Sequence, residues 1–185
     1  MRRPFLIVAA FALGAFASAW PSHADERVDV TAMDGVQLIA ELAGTHGPGI
    51  VMVHDAGADR GAWRDAAAAV VARGYRVLRV DLRGRGESSG TADLGLADRD
   101  VEGAYRYLLG RKIRPVFLVA DGATARAALA VAGRVPTAGV VLVGARAAES
   151  DSSAAVRMLR IDDVTSVTAR ERLAAWLGEA NPAGR

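Results

Sequence analysis

The chain has 185 residues, with 23 Lys and Arg against 21 Asp and Glu, and it contains no cysteine. That composition excludes disulfides, thiolate metal centres and a cysteine nucleophile. Arg2 and Arg3 lie in an opening segment without acidic residues, so the rest of the chain is charge-balanced and shows no clustered basic stripe for nucleic acid.

The first 24 residues, MRRPFLIVAAFALGAFASAWPSHA, place two arginines before an apolar run and then small residues ahead of Asp25 and Glu26. This is the layout of a secretory signal peptide, with cleavage expected after Ala24 and, as second choice, after Ala19. The apolar run falls short of the ~20 residues of a membrane-spanning helix, and no later segment reaches that length, so no membrane span is expected after cleavage. The expected product is an exported protein, periplasmic or secreted, with a single domain over residues 25–185.

That domain opens with RVDVTAMDGVQLIAEL, which alternates about Asp34-Gly35 and predicts a β-hairpin. Four apolar runs follow: IVMV from Ile50, VLRV from Val77, VFLVA from Val116 and VVLV from Val140. Runs this continuous suit buried parallel strands. Between them, the spacing of Trp63, Ala67, Val70 and Val71 predicts a helix closed by Gly74, and that of Val101, Ala104, Tyr105 and Leu108 a helix closed by Gly110. A third helix is expected over 123–132, with Pro115 and Pro136 halting helices ahead of the next strands.

VRMLRI, from Val156, reads either as a last edge strand or as an amphipathic connector, and Thr168 with Glu171 forms a capping box for a helix closed by Gly178. Strands alternating with helices imply right-handed crossovers and a three-layer α/β sandwich with a mostly parallel sheet. Ligands of such sheets bind at the carboxyl ends of the strands.

Three segments at those ends resemble the α/β-hydrolase family. GIVMVHDAGADRGAW, from Gly49, is similar to the family's third strand and oxyanion loop; YRVLRVDLRGRGESSG, from Tyr75, carries D-x-R-G-x-G-x-S from Asp81 to Ser88. PVFLVADGATARAALAVA, from Pro115, falls where the family has its fifth strand and its G-x-S-x-G elbow. The resemblance implies an α/β-hydrolase-like sheet that stops short at the C-terminal end, where relatives add a strand and a catalytic histidine. It implies no cofactor and no metal.

The elbow has no serine, and two registers are open. With Gly122 at the apex the nucleophile is gone. With Asp121 at the apex and Ala123 two residues on, the stretch is similar to the aspartate elbow of haloalkane dehalogenases and epoxide hydrolases; the plainer alternative makes Asp121 a helix cap. After Ala24 the histidines are His46, expected in an exposed turn, and His54, which either orients the oxyanion loop or serves as base.

Asp55 stands where the family usually has glycine, and it would oppose a developing oxyanion unless it pointed outward or held a proton. Ala56 and Gly57 complete that loop, and the Ala56 N–H remains a candidate donor. Asp162 and Asp163 lie where the family's acid follows a late strand, or are solvated capping residues. Ser88 is expected to be a turn residue.

These features imply an exported α/β-hydrolase-fold protein without the ordinary triad, binding a small molecule or a partner. The alternative is a hydrolase of esters or halides in which Asp121 attacks and His54 or water substitutes for the missing base. Asp121 and His54 are expected to approach each other at the strand ends, and an ion pair between them would instead tie up the carboxylate as a structural partner. An open sheet edge would also allow oligomers.

Overall fold

The computed structural model describes residues 25–144, 158–161 and 167–180. The leader, residues 145–157, and Asp162 and Asp163 lie outside the described residues. Seven strands form one sheet in the order β1-β2-β4-β3-β5-β6-β7. They are β1 (Glu26–Thr31), β2 (Gln37–Ala43), β3 (Gly49–Val53), β4 (Arg76–Val80), β5 (Val116–Asp121), β6 (Gly139–Val143) and β7 (Met158–Ile161). The helices are α1 (Arg64–Val71), α2 (Ala97–Gly110), α3 (Ala125–Ala132) and α4 (Val167–Ala180).

The hairpin forms as expected: β1 and β2 are antiparallel, Val30 faces Leu38, and the turn closes through the Gly35 N–H donating to the Ala32 carbonyl at 3.0 Å. Strand β2 then lies antiparallel to β4, while β3 runs parallel to both β4 and β5, and β6 and β7 extend the parallel part. VRMLRI thus contributes a strand, pairing Val141 with Leu159, and the connector reading falls.

Successive side chains of a strand point to opposite faces, and both faces here are covered. Val51, Val53, Leu118 and Ala120 pack with α2 and α3, whereas Ile50, Met52, Phe117 and Val119 pack with Trp63, Val70 and the α4 residues Leu173 and Leu177. That is why the central strands read as unbroken apolar runs. Helix α2 turns Val101, Ala104, Tyr105 and Leu108 to the sheet, and Asp98 and Asp100 in its first turn complement the helix dipole.

Two helix ends differ from the sequence expectation. Gly110 is the last residue of α2, and the left-handed exit falls instead on Lys112, at φ 58°, whose N–H reaches the Leu109 carbonyl while that of Ile113 reaches Leu108. Burial of Ile113 against Leu108 fixes the exit there. Helix α4 starts at Val167, one residue ahead of the expected cap Thr168, and continues through Gly178 to Ala180. Burial of Leu173 and Leu177 on one face carries the helix past the glycine. Among the described residues no helix is long and apolar enough to cross a membrane.

Candidate active site at the strand ends

The carboxyl ends of β3, β4 and β5 adjoin, which brings together the three segments that carry the family resemblance. At the end of β4, each defined position of D-x-R-G-x-G-x-S has a structural task. The fully buried Asp81 carboxylate accepts from the Arg60 N–H at 2.7 Å and the Glu87 N–H at 3.0 Å, and it pairs with the Arg60 guanidinium. Gly86, at φ +50°, leaves room for that carboxylate, with which a Cβ would collide.

Ser88 donates from Oγ to the Asp81 carbonyl at 2.7 Å and accepts from the Ile39 N–H at 2.8 Å, so it pins the turn to β2 and is the turn residue expected. Arg83 is buried between Asp100 on α2 and Asp34 in the hairpin turn, giving Asp34 two hydrogen bonds of 2.9 Å. Those bonds hold the Asp34 carboxyl well below the usual range, at about 2. Burial opposes the charge of Arg60, yet its pairing with Glu87, Glu41 and Asp81 keeps the guanidinium firmly protonated.

At the end of β3, His54 is fully buried. Its Nε2 accepts from the Leu82 N–H at 3.1 Å, and Nδ1 lies 2.7 Å from the Asp55 carbonyl. A nitrogen that accepts an N–H carries no proton, so the ring is the neutral Nδ1–H tautomer, with both nitrogens engaged by backbone. His54 therefore splices the oxyanion loop to the end of β4. It has no second N–H to offer Asp121, and the expected His54–Asp121 ion pair is replaced by this bridge. His46 lies in the turn before β3, its ring beside Gly74 at the opposite end of the strands from the elbow, and its Nδ1 meets the Thr45 hydroxyl at 3.1 Å.

At the end of β5 the register is resolved. Asp121 is the last residue of the strand, in extended backbone (φ −111°, ψ 143°), and Gly122 makes the sharp turn at φ +53°. Gly122 occupies the apex, and Asp121 lies one residue short of it. Thr124 closes the turn by donating to the Asp121 carbonyl at 2.7 Å.

The space beside Gly122 is filled from the oxyanion loop. A Cβ on Gly122 would run into the Asp55 carboxylate, and Asp55 Oδ1 accepts from the Ala123 N–H at 2.7 Å. In an elbow, the N–H after the apex is one of the two donors that receive an oxyanion. Asp55 neither points outward nor opposes an empty oxyanion hole. Its own negative charge sits at the donor. This relationship was not foreseen from the sequence, although its signal is there: an acid replaces a family glycine and a glycine replaces the family nucleophile, two departures that compensate in volume.

Beside this point run two clefts that share Leu94. One is lined by Ala56, Leu82, Arg83, Arg85, Ala92 and Asp93, the other by Gly95, Asp98, Ala123, Arg126, Ala127 and Ala130. No group of three or more His, Cys, Asp or Glu among the described residues forms a metal site.

A mixed, largely parallel sheet covered on both faces, with an elbow and an oxyanion loop at adjoining strand ends, defines a hydrolase scaffold. The model of the α/β-hydrolase family matches residues 50–184, and the chain belongs to that family. Similar solved structures include the Pyrococcus furiosus esterase Pf2001, at 20% identity and TM-score 0.61, covering 65% of this chain and 52% of that one. Epoxide hydrolase A from Mycobacterium thermoresistibile aligns at 24% identity and TM-score 0.56, with 64% and 39% covered. An esterase from Exiguobacterium antarcticum aligns at 22% identity and TM-score 0.56, with 71% and 50% covered. The chain thus spans about half or less of the length of these proteins. Comparison with curated proteins gave no match.

Proposed function

We propose that this protein is an exported member of the family that uses its strand-end pocket to bind a small molecule or a partner, and does not hydrolyse esters there. One observation carries the reading: Gly122 stands at the apex of the elbow, and the Asp55 carboxylate takes both the side-chain space and the Ala123 N–H. Acyl transfer at an elbow needs a nucleophile at the apex and a vacant donor for the oxyanion. Here the apex residue has no side chain, and the donor already holds a negative oxygen. The use of both His54 nitrogens by backbone supports the same reading, because neither is available as a base. The export half rests on the arrangement of residues 1–24.

An assay with p-nitrophenyl acetate and butyrate tests this. The expected result is release of p-nitrophenol no faster than in buffer, in the original chain and in Asp121→Ala alike. Turnover clearly above buffer that disappears in Asp121→Ala would overturn the reading and make Asp121 the nucleophile.

A further inference from the structure

The residues that follow the expected cut after Ala24 are built into the fold from the first one. Asp25 accepts from the guanidinium of Arg79, which lies on β4, is 2% exposed and also donates to Glu41. Glu26 opens β1 opposite Leu42 and pairs with Arg111 at 2.9 Å. Arg27, opposite Glu41, pairs with Glu87 at 3.0 Å. These three partners lie 54, 85 and 60 positions away, so no single local segment releases them together. Val28 and Val30 then enter the core.

The exposed pairs at Glu26 and Arg27 contribute little alone. The pair at Asp25 differs, because withdrawing a carboxylate from a buried guanidinium leaves charge without its partner. Arg79 Nε is buried and already finds no acceptor among the described residues.

A protease cuts backbone that it can hold free of other hydrogen bonds, so cleavage at a structured junction waits for local opening and slows with the open fraction. A cut after Ala24 has Asp25, Glu26 and Arg27 directly beyond the scissile bond. Reaching it in the folded chain means lifting Asp25 from Arg79 and the start of β1 from β2. A cut after Ala19 has Trp20, Pro21 and Ser22 in those places and asks nothing of β1.

We infer that folding decides which of the two bonds is processed. A chain that meets a signal peptidase before it folds is cut after Ala24. A chain that folds first is cut after Ala19 and keeps Trp20 to Ala24 as an extension. In each case water adds across one amide, leaving a carboxylate on the alanine and an ammonium on Asp25 or Trp20. The inference rests on the export reading above and gives it a regulation: the N-terminus of the product records the state in which the chain was processed.

The test treats the full 185-residue chain with a detergent-solubilised signal peptidase and reads the new N-terminus by intact mass. In one arm the chain is diluted from urea straight into the enzyme; in the other it folds first, as checked by circular dichroism. Cutting after Ala24 should be about tenfold or more slower in the folded arm, where the product beginning at Trp20 should dominate. Asp25→Ser should speed Ala24 cleavage about threefold or more in the folded arm, and the urea arm corrects for any change in the enzyme's own preference. If that variant does not fold, Arg111→Gln frees Glu26 through an exposed substitution and should speed the same cut about twofold.

Ala24 cleavage at the same rate in both arms, a folded arm whose product begins at Asp25, or a folded-arm rate unmoved by these variants would each overturn the inference and leave the export reading standing. No cleavage in either arm would instead overturn the export reading, and the inference with it.

Discussion

The carboxylate of Asp55 and the α-carbon of Gly122 are complementary surfaces: the acid fills the volume that any side chain at the apex would need. Gly122→Ala should therefore cost about 2–4 kcal/mol, combining a left-handed backbone at φ +53° with overpacking against Asp55. Asp55→Gly in the same chain should recover the steric part, giving a coupling of about 1 kcal/mol or more between the two sites. Urea unfolding of the two single variants and the double variant measures it. Strict additivity would mean that the two residues do not share this space.

Arg83 ties the hairpin turn to α2, and its partner Asp100 is fully buried. Removing one member of a buried pair leaves an uncompensated charge, so Asp100→Ala should lose about 3 kcal/mol, the low end of the usual range because Asp34 still faces the guanidinium. Arg99→Ala breaks a half-exposed contact with the same Asp34 and should cost less than about 1 kcal/mol. Denaturant midpoints at neutral pH compare the two directly, and equal losses would contradict this ranking.

Hydrogen bonds from Arg83 depress Asp34 to about 2, below its ordinary value of 3.8. The unfolded chain therefore takes up this proton first as the pH falls. The stabilising contribution is complete above about pH 4 and is lost as the pH drops towards about 2. Glu87, held low chiefly by Arg60 and then by Arg27, moves in the same sense. Asp34→Asn should be less stable than the original chain at neutral pH, and the gap should close across that acid window. A gap that stayed constant from neutral pH down to pH 2 would refute the assignment.

His54 bridges the Leu82 N–H and the Asp55 carbonyl through its two ring nitrogens. Nitrogen-15 spectra of the folded protein at neutral pH should show a protonated Nδ1 and a bare Nε2. His54→Leu fills the space but strands the buried Leu82 N–H, at a cost of about 1–3 kcal/mol. A charged or Nε2–H ring would break the inferred bridge.

Much of this architecture is legible in the sequence because periodicity reports burial, and burial here is nearly complete at the centre of the sheet. Ile50 to Val53 and Val116 to Ala120 are apolar on both faces, and the two-sided helical cover follows from that alone. The motif from Asp81 to Ser88 is equally readable, since each of its positions answers a local steric or hydrogen-bonding need. The elbow is harder. Asp121 and Gly122 both suit a strand-to-helix turn on local grounds, and what selects Gly122 is Asp55, 67 positions earlier, whose carboxylate needs the vacant space. The left-handed residue after α2 escapes for a related reason: Gly110 has the better intrinsic preference, but packing of Ile113 against Leu108 moves the turn to Lys112.

The strand order has a kinetic consequence. Because β3 sits between β4 and β5, its two neighbours arrive from very different distances along the chain: Gly49 pairs with Arg76 on one side and with Val116 on the other. The entropy of closing a loop grows with its length, so the β3–β5 ladder closes later than the β3–β4 ladder. The contact of Asp55 with Ala123 spans 68 positions and depends on that second ladder. The site is therefore expected among the later parts of the molecule to assemble, and the time at which the Ala123 amide reaches its native environment during refolding checks this.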